Sequence, residues 1–411
     1  MAGSKSQHEI TVEIAGKIAS SFGGAMGTVN KQMATLGKIA GGAAKLTMAG
    51  MVAAGTAIAG VAAASVEVGK AFESQMSTVA AISGATAEEF AAMEAKAKQM
   101  GATTQFSATE AGQAMEYMAM AGWKSADMVD GIEGIMNLAA ASGEDLASTS
   151  DIVTDALTAF GMTSSESGKF ADVLAAASSN ANTNVSMLGE SFKYVAPLAG
   201  TLGYTAEDTS IALGLMANAG IKGSQAGTSL KTALARMSAP TAKQAAAMKK
   251  LGISLTDSEG NMKSLRDVMG DLRTSFAGMS ESEQAAAAST IFGKEAMSGM
   301  LAIINASESD FDKLTAAIDG SAGAAERMAA VRLDNLEGDI TLLKSALEGL
   351  GIEIYQGMNA PMREAAQAAS GYVAQMNAAF QEGGFSGMAK AIGDIAADAL
   401  TQIADHAPEF I

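Results

Sequence analysis

Helix-start signals recur along most of this chain, and they constrain its fold more than any other feature. In a capping box, a Ser or Thr hydroxyl and a Glu carboxylate three residues later each bind an otherwise unpaired amide at a helix N-terminus. Complete boxes begin at Thr86, Ser107, Thr163 and Ser280, and weaker versions with Asp begin at Thr205 and Ser307. This series predicts a stack of short helices joined by turns.

Glycines follow the expected helices. Six of them come directly after apolar runs with helical spacing, where a left-handed C-terminal cap is expected: Gly101, Gly122, Gly161, Gly203, Gly220 and Gly252. The 411 residues include 4 Pro, 28 Met and 45 Gly, and 5% are aromatic. We therefore predict an all-α fold with an Ala/Gly-rich core of helix–turn–helix pieces. A core of Ala and Met packs thinly, so we expect much of its stability to come from association.

Two short segments depart from the helical pattern. Residues 9–14, "EITVEI", alternate apolar and polar side chains, which indicates a half-buried strand. Residues 253–265 contain the turn cluster Asp257–Gly260 between short alternating stretches, which indicates a small β-hairpin.

An uncharged run over 46–66 reaches the length of a bilayer-spanning helix. The run fits a transmembrane helix and equally fits a buried helix of an oligomer, because Ala and Gly contribute little transfer free energy. Lysines precede the run and Glu67 follows it, so a spanning helix would keep its N-terminal side in the cytoplasm. The candidate membrane segment is defined by Leu46, Met51, Val52, Ile58, Val61 and Val66.

The strongest periodicity lies near the C-terminus. From Ala329 onward, apolar residues are spaced alternately by four and three positions. We call the following residues the heptad seam: Leu333, Leu336, Ile340, Leu343, Leu347, Leu350 and Ile354. Such spacing favours a self-associating coiled coil, and the alternative is an amphipathic helix packed on the core. After Pro361 a second series begins: Met362, Ala366, Ala369, Val373, Met376 and Phe380.

Charge is distributed unevenly. The formal net charge is −17, yet residues 1–70 carry +3 and the remainder therefore −20. An acidic body argues against sequence-specific binding of nucleic acid, which requires Lys and Arg to displace counterions. The chain has no Cys, which excludes disulfides and thiol chemistry.

Candidates for catalysis are few. His8 and His406 lie at opposite ends of the chain, and no phosphate-binding loop, dinucleotide fingerprint or zinc-hydrolase motif is present. The acid pairs at 88–89, 144–145 and 310–312 lie at expected helix starts, where the helix dipole stabilises them. Residues 180–184, "NANTN", lack the charge of a calcium loop, and Trp123 is interpreted as a packing anchor. We predict no enzymatic activity, no cofactor and no metal.

Four stretches resemble the core of phage tail tape-measure proteins. They are "AFESQMSTVAAISGATAEEF" (71–90), "QMGATTQFSATEAGQAMEYMAMAG" (99–122), "ADVLAAASSNANTNVSMLGESFKYVAPLAGTLG" (171–203) and "AGIKGSQAGTSLKTALARM" (219–237). The resemblance implies an internal rod that sets tail length and leaves the tube when the genome is delivered. Implied partners are the tail tube protein, tail assembly chaperones, distal tail or baseplate proteins, further copies of the chain and the host membrane. The implied location is the virion, inside the tail tube, with the host cytoplasm during assembly.

The predicted organisation has four parts. A strand and helical lead-in occupy 1–45, the hydrophobic helix 46–70, the tape-measure core 71–325 and coiled-coil-like helices 326–411. Members of the family are usually longer, so the chain is either a truncated piece or a short tape. Two alternatives to the tape remain: a membrane-inserting pore protein of a tail-like particle, and a tail protein associated with a cell-wall hydrolase.

Overall fold

The computed structural model describes residues 48–406, with side chains from Ser65 onward except at some positions after Gly357. Its α-helices, in chain order, are α1 (Met48–Ser83), α2 (Ala87–Thr103), α3 (Ala108–Met120), α4 (Ser125–Ser142), α5 (Leu146–Phe160), α6 (Ser167–Asn180), α7 (Val185–Thr201), α8 (Ala206–Asn218), α9 (Gly223–Ser238), α10 (Ala242–Lys250), α11 (Leu265–Phe276), α12 (Glu281–Phe292), α13 (Lys294–Ile304), α14 (Glu308–Asp319), α15 (Ala324–Leu333) and α16 (Leu336–His406).

The chain divides into two units, 1–64 and 65–411. Of the first unit the structure describes the helical residues 48–64, which form the first part of α1. The second unit holds every other described element, and its helices share one large apolar core. The all-α prediction is confirmed for the described part of the chain, whereas the predicted domain limits stay a prediction.

The predicted helix starts are confirmed. Capping boxes with both reciprocal hydrogen bonds open α2 at Thr86, α3 at Ser107 and α12 at Ser280, and the box at Thr163 opens a short 3₁₀ turn. Thr205 and Ser307 cap α8 and α14. Because these signals act within one turn of backbone, they operate independently of the surrounding packing.

The predicted helix ends are confirmed at five glycines and wrong at one. Gly122, Gly161, Gly203, Gly220 and Gly252 adopt positive φ angles. Gly101 instead lies buried inside α2, where a Cβ would come 2.5 Å from the backbone nitrogen of Ala108. At this position glycine permits a close approach of the chain rather than a left-handed cap.

Close glycine contacts also build the core around α7. A Cβ on Gly189 or Gly200 of α7 would come closer than 3.0 Å to atoms of α5. A Cβ on Gly227 of α9 would come closer than 3.0 Å to the Ser191 backbone of α7. The rings of Phe160 and Phe170 meet Phe192 edge-on, with centroids 5.7 and 5.6 Å apart. Small residues therefore bring the helices together, and a few aromatic rings fill the remaining space.

The predicted β-hairpin is reduced to a single turn. One antiparallel bridge joins Thr256 and Met262, and the Lys263 amide donates to the Leu255 carbonyl at 2.9 Å. The Asp257 carboxylate accepts the amides of Glu259 and Asn261, so a side chain closes the turn before strands can extend. The strand predicted over 9–14 lies outside the described residues.

The transmembrane interpretation of 46–66 is not supported. Among the helices that the structure describes, none is both long enough and apolar enough to cross a membrane. The run depends on Ala and Gly, whose transfer free energies are small. Of the candidate segment, Leu46 lies outside the described residues; Met51, Val52, Ile58, Val61 and Val66 lie on α1, and Val66 is half-buried.

Candidate self-association surface

One face of α16 is fixed to the core. The Tyr355 hydroxyl donates to Glu73 of α1 at 2.6 Å, and the Thr109 hydroxyl of α3 donates to Glu348 at 2.7 Å. The Ser345 hydroxyl donates to the Gln105 carbonyl at 3.0 Å. These contacts fix the rotation of the first turns of α16 about the helix axis.

Ion pairs and apolar packing extend the same contact. Lys98 of α2 donates to Gln356 at 2.6 Å and lies 3.3 Å from Glu353. The Ile352 side chain is fully buried among the core residues. Residues 345–356 of α16 therefore pack on the core, as the alternative interpretation of the heptad spacing predicts.

Sequence reasoning missed this inner face. Its positions 345, 348, 352 and 355 are spaced three, four and three apart, which is a second helical stripe beside the heptad seam. The stripe mixes Ser, Glu, Ile and Tyr, so a search for purely apolar periodicity does not find it. Recognising hydroxyl and carboxylate groups at helical spacing as contact residues could have found it.

The heptad seam lies on the opposite face of the same helix, where most of it is exposed. Its exposed members are Leu336, Ile340, Leu343, Leu347 and Leu350, with 38–74% of each residue's surface accessible. Leu333 and Ile354 are half-buried. The first part of α16 therefore combines both predicted roles, because one face packs on the core and the other carries an uncovered apolar stripe.

The heptad pattern over 329–354 is not carried by one uninterrupted helix. Helix α15 ends at Leu333 and α16 begins at Leu336, so the chain breaks between two consecutive seam residues. Ala329 is buried beside Ala140 and Ala141 of α4 and does not lie on the exposed stripe. The seam residues from Leu336 onward lie on one helix, α16, whereas Leu333 belongs to α15.

The second series, after Pro361, continues along α16. Val373 and Phe380 are exposed and Met376 is half-buried. Gly384 then interrupts the helix with φ 57° and ψ −146°, a conformation that a residue with a Cβ rarely adopts. His406 is the last residue of α16, and His8 lies outside the described residues.

In two of the three acid pairs, one acid takes part in a helix cap. Asp145 accepts the Ser148 amide at 2.8 Å, and this backbone hydrogen bond holds the pKa of Asp145 below its ordinary value. Glu89 accepts the Thr86 amide at 2.8 Å, which likewise lowers its pKa. Among the described residues, no group of three or more His, Cys, Asp or Glu is placed to hold a metal ion.

One ionic cluster, in which Asp208 is buried, Arg266 is half-buried and Asp319 is exposed, joins three helices. Asp208 of α8 lies 3.1 Å from the Arg266 Nε and also accepts the Arg266 amide. The same guanidinium donates two 2.9 Å hydrogen bonds to Asp319 of α14. These hydrogen bonds are the main cause of the raised pKa of Arg266. These charge-assisted hydrogen bonds tie the ends of the three helices together.

Two further predicted features have structural roles. The Trp123 ring lies against Gly131 of α4, where a Cβ would come closer than 3.0 Å to the indole, so its role as a packing anchor is confirmed. In the "NANTN" segment, Asn184 caps α7, and the Asn182 amide donates to Asn218 at 2.8 Å. These asparagines close the loop between α6 and α7 against the end of α8.

Comparisons with known proteins agree on one class. The family described as phage-related minor tail protein matches residues 94–293. The tape measure protein of Pneumococcus phage Dp-1 is 43% identical over 297 residues, which cover 72% of this chain and 26% of that protein. The probable tape measure protein of Escherichia phage P2 is 30% identical over 381 residues, covering 90% of this chain and 46% of that protein. No solved structure matches the chain.

The matched region includes the glycine-packed core helices, and the fold and the matches together define a helical structural protein of phage tails. Within that class, the chain belongs to the tape-measure proteins. It spans about a quarter and just under half of the length of these two relatives.

Proposed function

We propose that this chain is an internal tape that sets tail length while the tail tube assembles. The observation that carries the proposal is its similarity to two tape measure proteins, which extends over 72% and 90% of the chain. A tape acts by occupying length rather than by chemistry, so it requires a rod and surfaces for assembly. The proposal assigns no catalytic step to the chain.

The rod in this proposal is supplied by α16. Residues 336–383 of α16 precede the interruption at Gly384 and correspond to ~72 Å at 1.5 Å rise per residue. Its first turns are fixed to the core by Ser345, Glu348 and Tyr355. We infer that the core anchors the tape while the helix beyond the anchor measures length.

The assembly partners follow from the same role. We propose that the chain recruits tail tube subunits and contacts tail assembly chaperones and distal tail or baseplate proteins. It would do so first in the host cytoplasm and then inside the tube of the virion. The acidic composition, with −20 over residues 71–411, fits a surface past which DNA moves without binding.

A second copy of the chain is the partner that best fits the exposed seam. Five large apolar residues at heptad spacing present the same surface on each copy, which is the requirement for a self-complementary interface. In parallel alignment, Asp339 and Lys344 occupy g and e positions and face each other across the pair. Both side chains are exposed in the described structure. We therefore propose parallel self-association through the first part of α16.

Deleting part of the rod tests the ruler. Residues 362–382 form three heptads between Pro361 and Gly383, after the contact of Asn359 with Glu73. In the phage that encodes the chain, this deletion is expected to shorten the tail by ~32 Å, as 21 residues at 1.5 Å each predict. Duplicating the same residues should lengthen the tail by the same amount. Electron microscopy of purified particles measures both changes.

The core provides the matched control. A deletion of equal length within 171–237 removes helices that pack on each other, so it should abolish tails rather than shorten them. Viable particles of unchanged tail length from the 362–382 deletion would contradict the ruler role of α16. A graded change in both directions would support it.

We further propose that the chain leaves the tube when the genome is delivered. A tape inside the tube occupies the path of the DNA, so the two cannot pass together. Immunoblots of tails before and after triggered ejection test this step. The chain should disappear from emptied tails while the tube protein remains, and retention of the chain in emptied tails would contradict release.

A further inference from the structure

The two residues between α15 and α16 form a tight turn. Asp334 adopts φ −76° and ψ 63°, and the Asn335 amide donates to the Leu333 carbonyl at 2.8 Å, which together define an inverse γ-turn. The Asn335 side chain then accepts the Gly338 amide at 3.0 Å and caps α16. At Asp334 the φ angle is compatible with a helix, whereas ψ of 63° is not.

The heptad spacing of the sequence continues through this turn without a break. Ala329, Leu333, Leu336 and Ile340 follow one another at four, three and four positions, as they would on one uninterrupted helix. In the observed conformation this stripe is divided, and Leu336 directly after the turn is 74% exposed. The sequence thus carries the pattern of a continuous helix through a place where the compact structure bends.

Gly338 is fitted to the bent conformation. A Cβ at this position would come closer than 3.0 Å to the Leu333 carbonyl. In a continuous helix that carbonyl lies more than one turn away, and Ala is more favourable than Gly. The bend therefore requires glycine at 338, whereas the straight helix does not.

Helix α15 is held on the core by short side chains and by one carboxylate. Its buried residues are Ala324, Ala325 and Ala329, whose short side chains each bury little apolar area. Asp172 of α6 accepts the amides of Gly323 and Ala325 at 2.7 and 2.9 Å. The same interface collects further acids, since Asp130, Glu133 and Glu326 line one cavity with Asp172. The docked face of α15 therefore consists mainly of alanines and polar contacts.

We propose that Asp334 is a hinge at which α15 and α16 join into one continuous helix when α15 leaves α4 and α6. A second copy of the chain favours this state, because a continuous helix adds Ala329 and Leu333 to the seam that the copy can contact. A partner shifts such an equilibrium only by contacts that differ between the two states, and these two residues provide them.

The straight state would lengthen the rod. The ten residues of α15 together with Asp334 and Asn335 add ~18 Å at 1.5 Å per residue. This consequence rests on the proposed ruler role. The hinge itself does not, because it is tested on purified protein, so failure of one is distinguishable from failure of the other.

Distances between spin labels test the hinge. The sequence has no Cys, so labels at introduced cysteines are unambiguous. Labels at Glu326 and Lys344, both exposed, are 18 residues apart and would be ~27 Å apart between Cα atoms in a continuous helix. A second pair at Asp130 and Glu326, which line the same cavity, reports docking of α15.

Gly338→Ala should move the first pair from a shorter distance toward ~27 Å and separate the second pair. Gly349→Ala is the matched control, because it makes the same change in the same helix at a position where a Cβ meets no atom within 4 Å. Excess unlabelled chain should enlarge the long-distance population of the Gly338→Ala protein.

Leu336→Pro should lock the bend. Proline is favoured at the first position of a helix and breaks a helix interior, so it fits α16 as observed and not a continuous helix. Leu336→Ala controls for loss of the side chain. The hinge is refuted if Gly338→Ala keeps the bent distances, if Gly349→Ala changes them equally, or if Leu336→Pro still reaches ~27 Å.

Discussion

The Tyr355 hydroxyl donates a 2.6 Å hydrogen bond to the Glu73 carboxylate, which ties α16 to α1. Its ring rests on Gly69, where a Cβ would come closer than 3.0 Å to the ring atoms. These residues are far apart in sequence, so the contact anchors the last helix to the first described one. Glycine at 69 is required by this contact because any larger residue occupies the space of the ring.

We predict that Gly69→Ala loosens this anchor. The added Cβ must displace the Tyr355 ring, and overpacking of this kind costs about 1–3 kcal/mol of unfolding free energy. Gly270→Ala provides the control, since a Cβ there meets no atom within 4 Å and helix propensity alone should stabilise it. Urea denaturation measures both variants. Equal stability of the two would show that the ring contact contributes nothing.

The cap of α5 should make stability depend on pH. The hydrogen bond from the Ser148 amide lowers the pKa of Asp145 below 3.8 in the folded protein. Its carboxylate therefore stabilises the fold above pH 3.8, and this contribution is lost as the pH falls through the lowered folded pKa. Asp145→Asn keeps a capping oxygen but does not titrate, whereas Asp145→Ala should cost about 1 kcal/mol at neutral pH.

Urea denaturation measures this effect when the wild type and Asp145→Asn are compared at two pH values. One is neutral, and the other is near pH 3, on the order of one unit below the ordinary Asp pKa. The wild type should lose more stability in acid than the variant. Glu144→Gln removes the same charge beside the cap without touching the cap hydrogen bond. Acid sensitivity that is identical in wild type and Asp145→Asn would rule out the cap as its source.

Arg266 should be important for stability, because its loss would leave the buried Asp208 carboxylate without a cation. Asp208 is 6% exposed, so Arg266→Leu leaves a buried carboxylate without its cation. Because Arg266 is half-buried and its backbone amide still binds the carboxylate, the loss should cost about 1–3 kcal/mol of unfolding free energy. Lys193→Leu breaks the exposed pair with Asp151 and should cost less than about 0.5 kcal/mol. Thermal and urea unfolding distinguish the two, and similar losses would contradict this account.

Local signals allowed much of this fold to be predicted, because caps such as Thr86 with Glu89 are decided within one helical turn. Gly101 shows the limit of such reasoning. A glycine after an apolar run serves equally as a left-handed cap or as a point of close approach, and only packing against Ala108 decides between them.

The surface of α16 was predictable in part for a related reason. Heptad spacing records which residues share a stripe, so it found Leu336 to Leu350 on one face. Spacing does not reveal the turn at Asp334, because the turn leaves the number of residues between successive apolar positions unchanged. It is equally blind to the polar contacts of the inner face, which depend on partners more than 200 positions away in the chain.

The last prediction concerns the exposed seam. Leu343 lies at its centre and is 53% exposed, so replacing it with Lys should leave the folded core intact. In a parallel pair, however, the two ammonium groups would meet at the same level of the apolar stripe, where they are desolvated and repel each other. We therefore expect Leu343→Lys to shift the chain from an associated species toward monomer in sedimentation velocity experiments.

Val331→Lys is the matched control. Val331 is 78% exposed and thus at least as accessible as Leu343, but it lies on α15 and occupies neither an a nor a d position of the heptad repeat. The same charge at this position should leave association unchanged. Loss of association in both variants would indicate a general effect of charge instead of a specific seam. A wild-type chain that is already monomeric at tens of micromolar, roughly where modest coiled coils associate, would contradict self-association through α16.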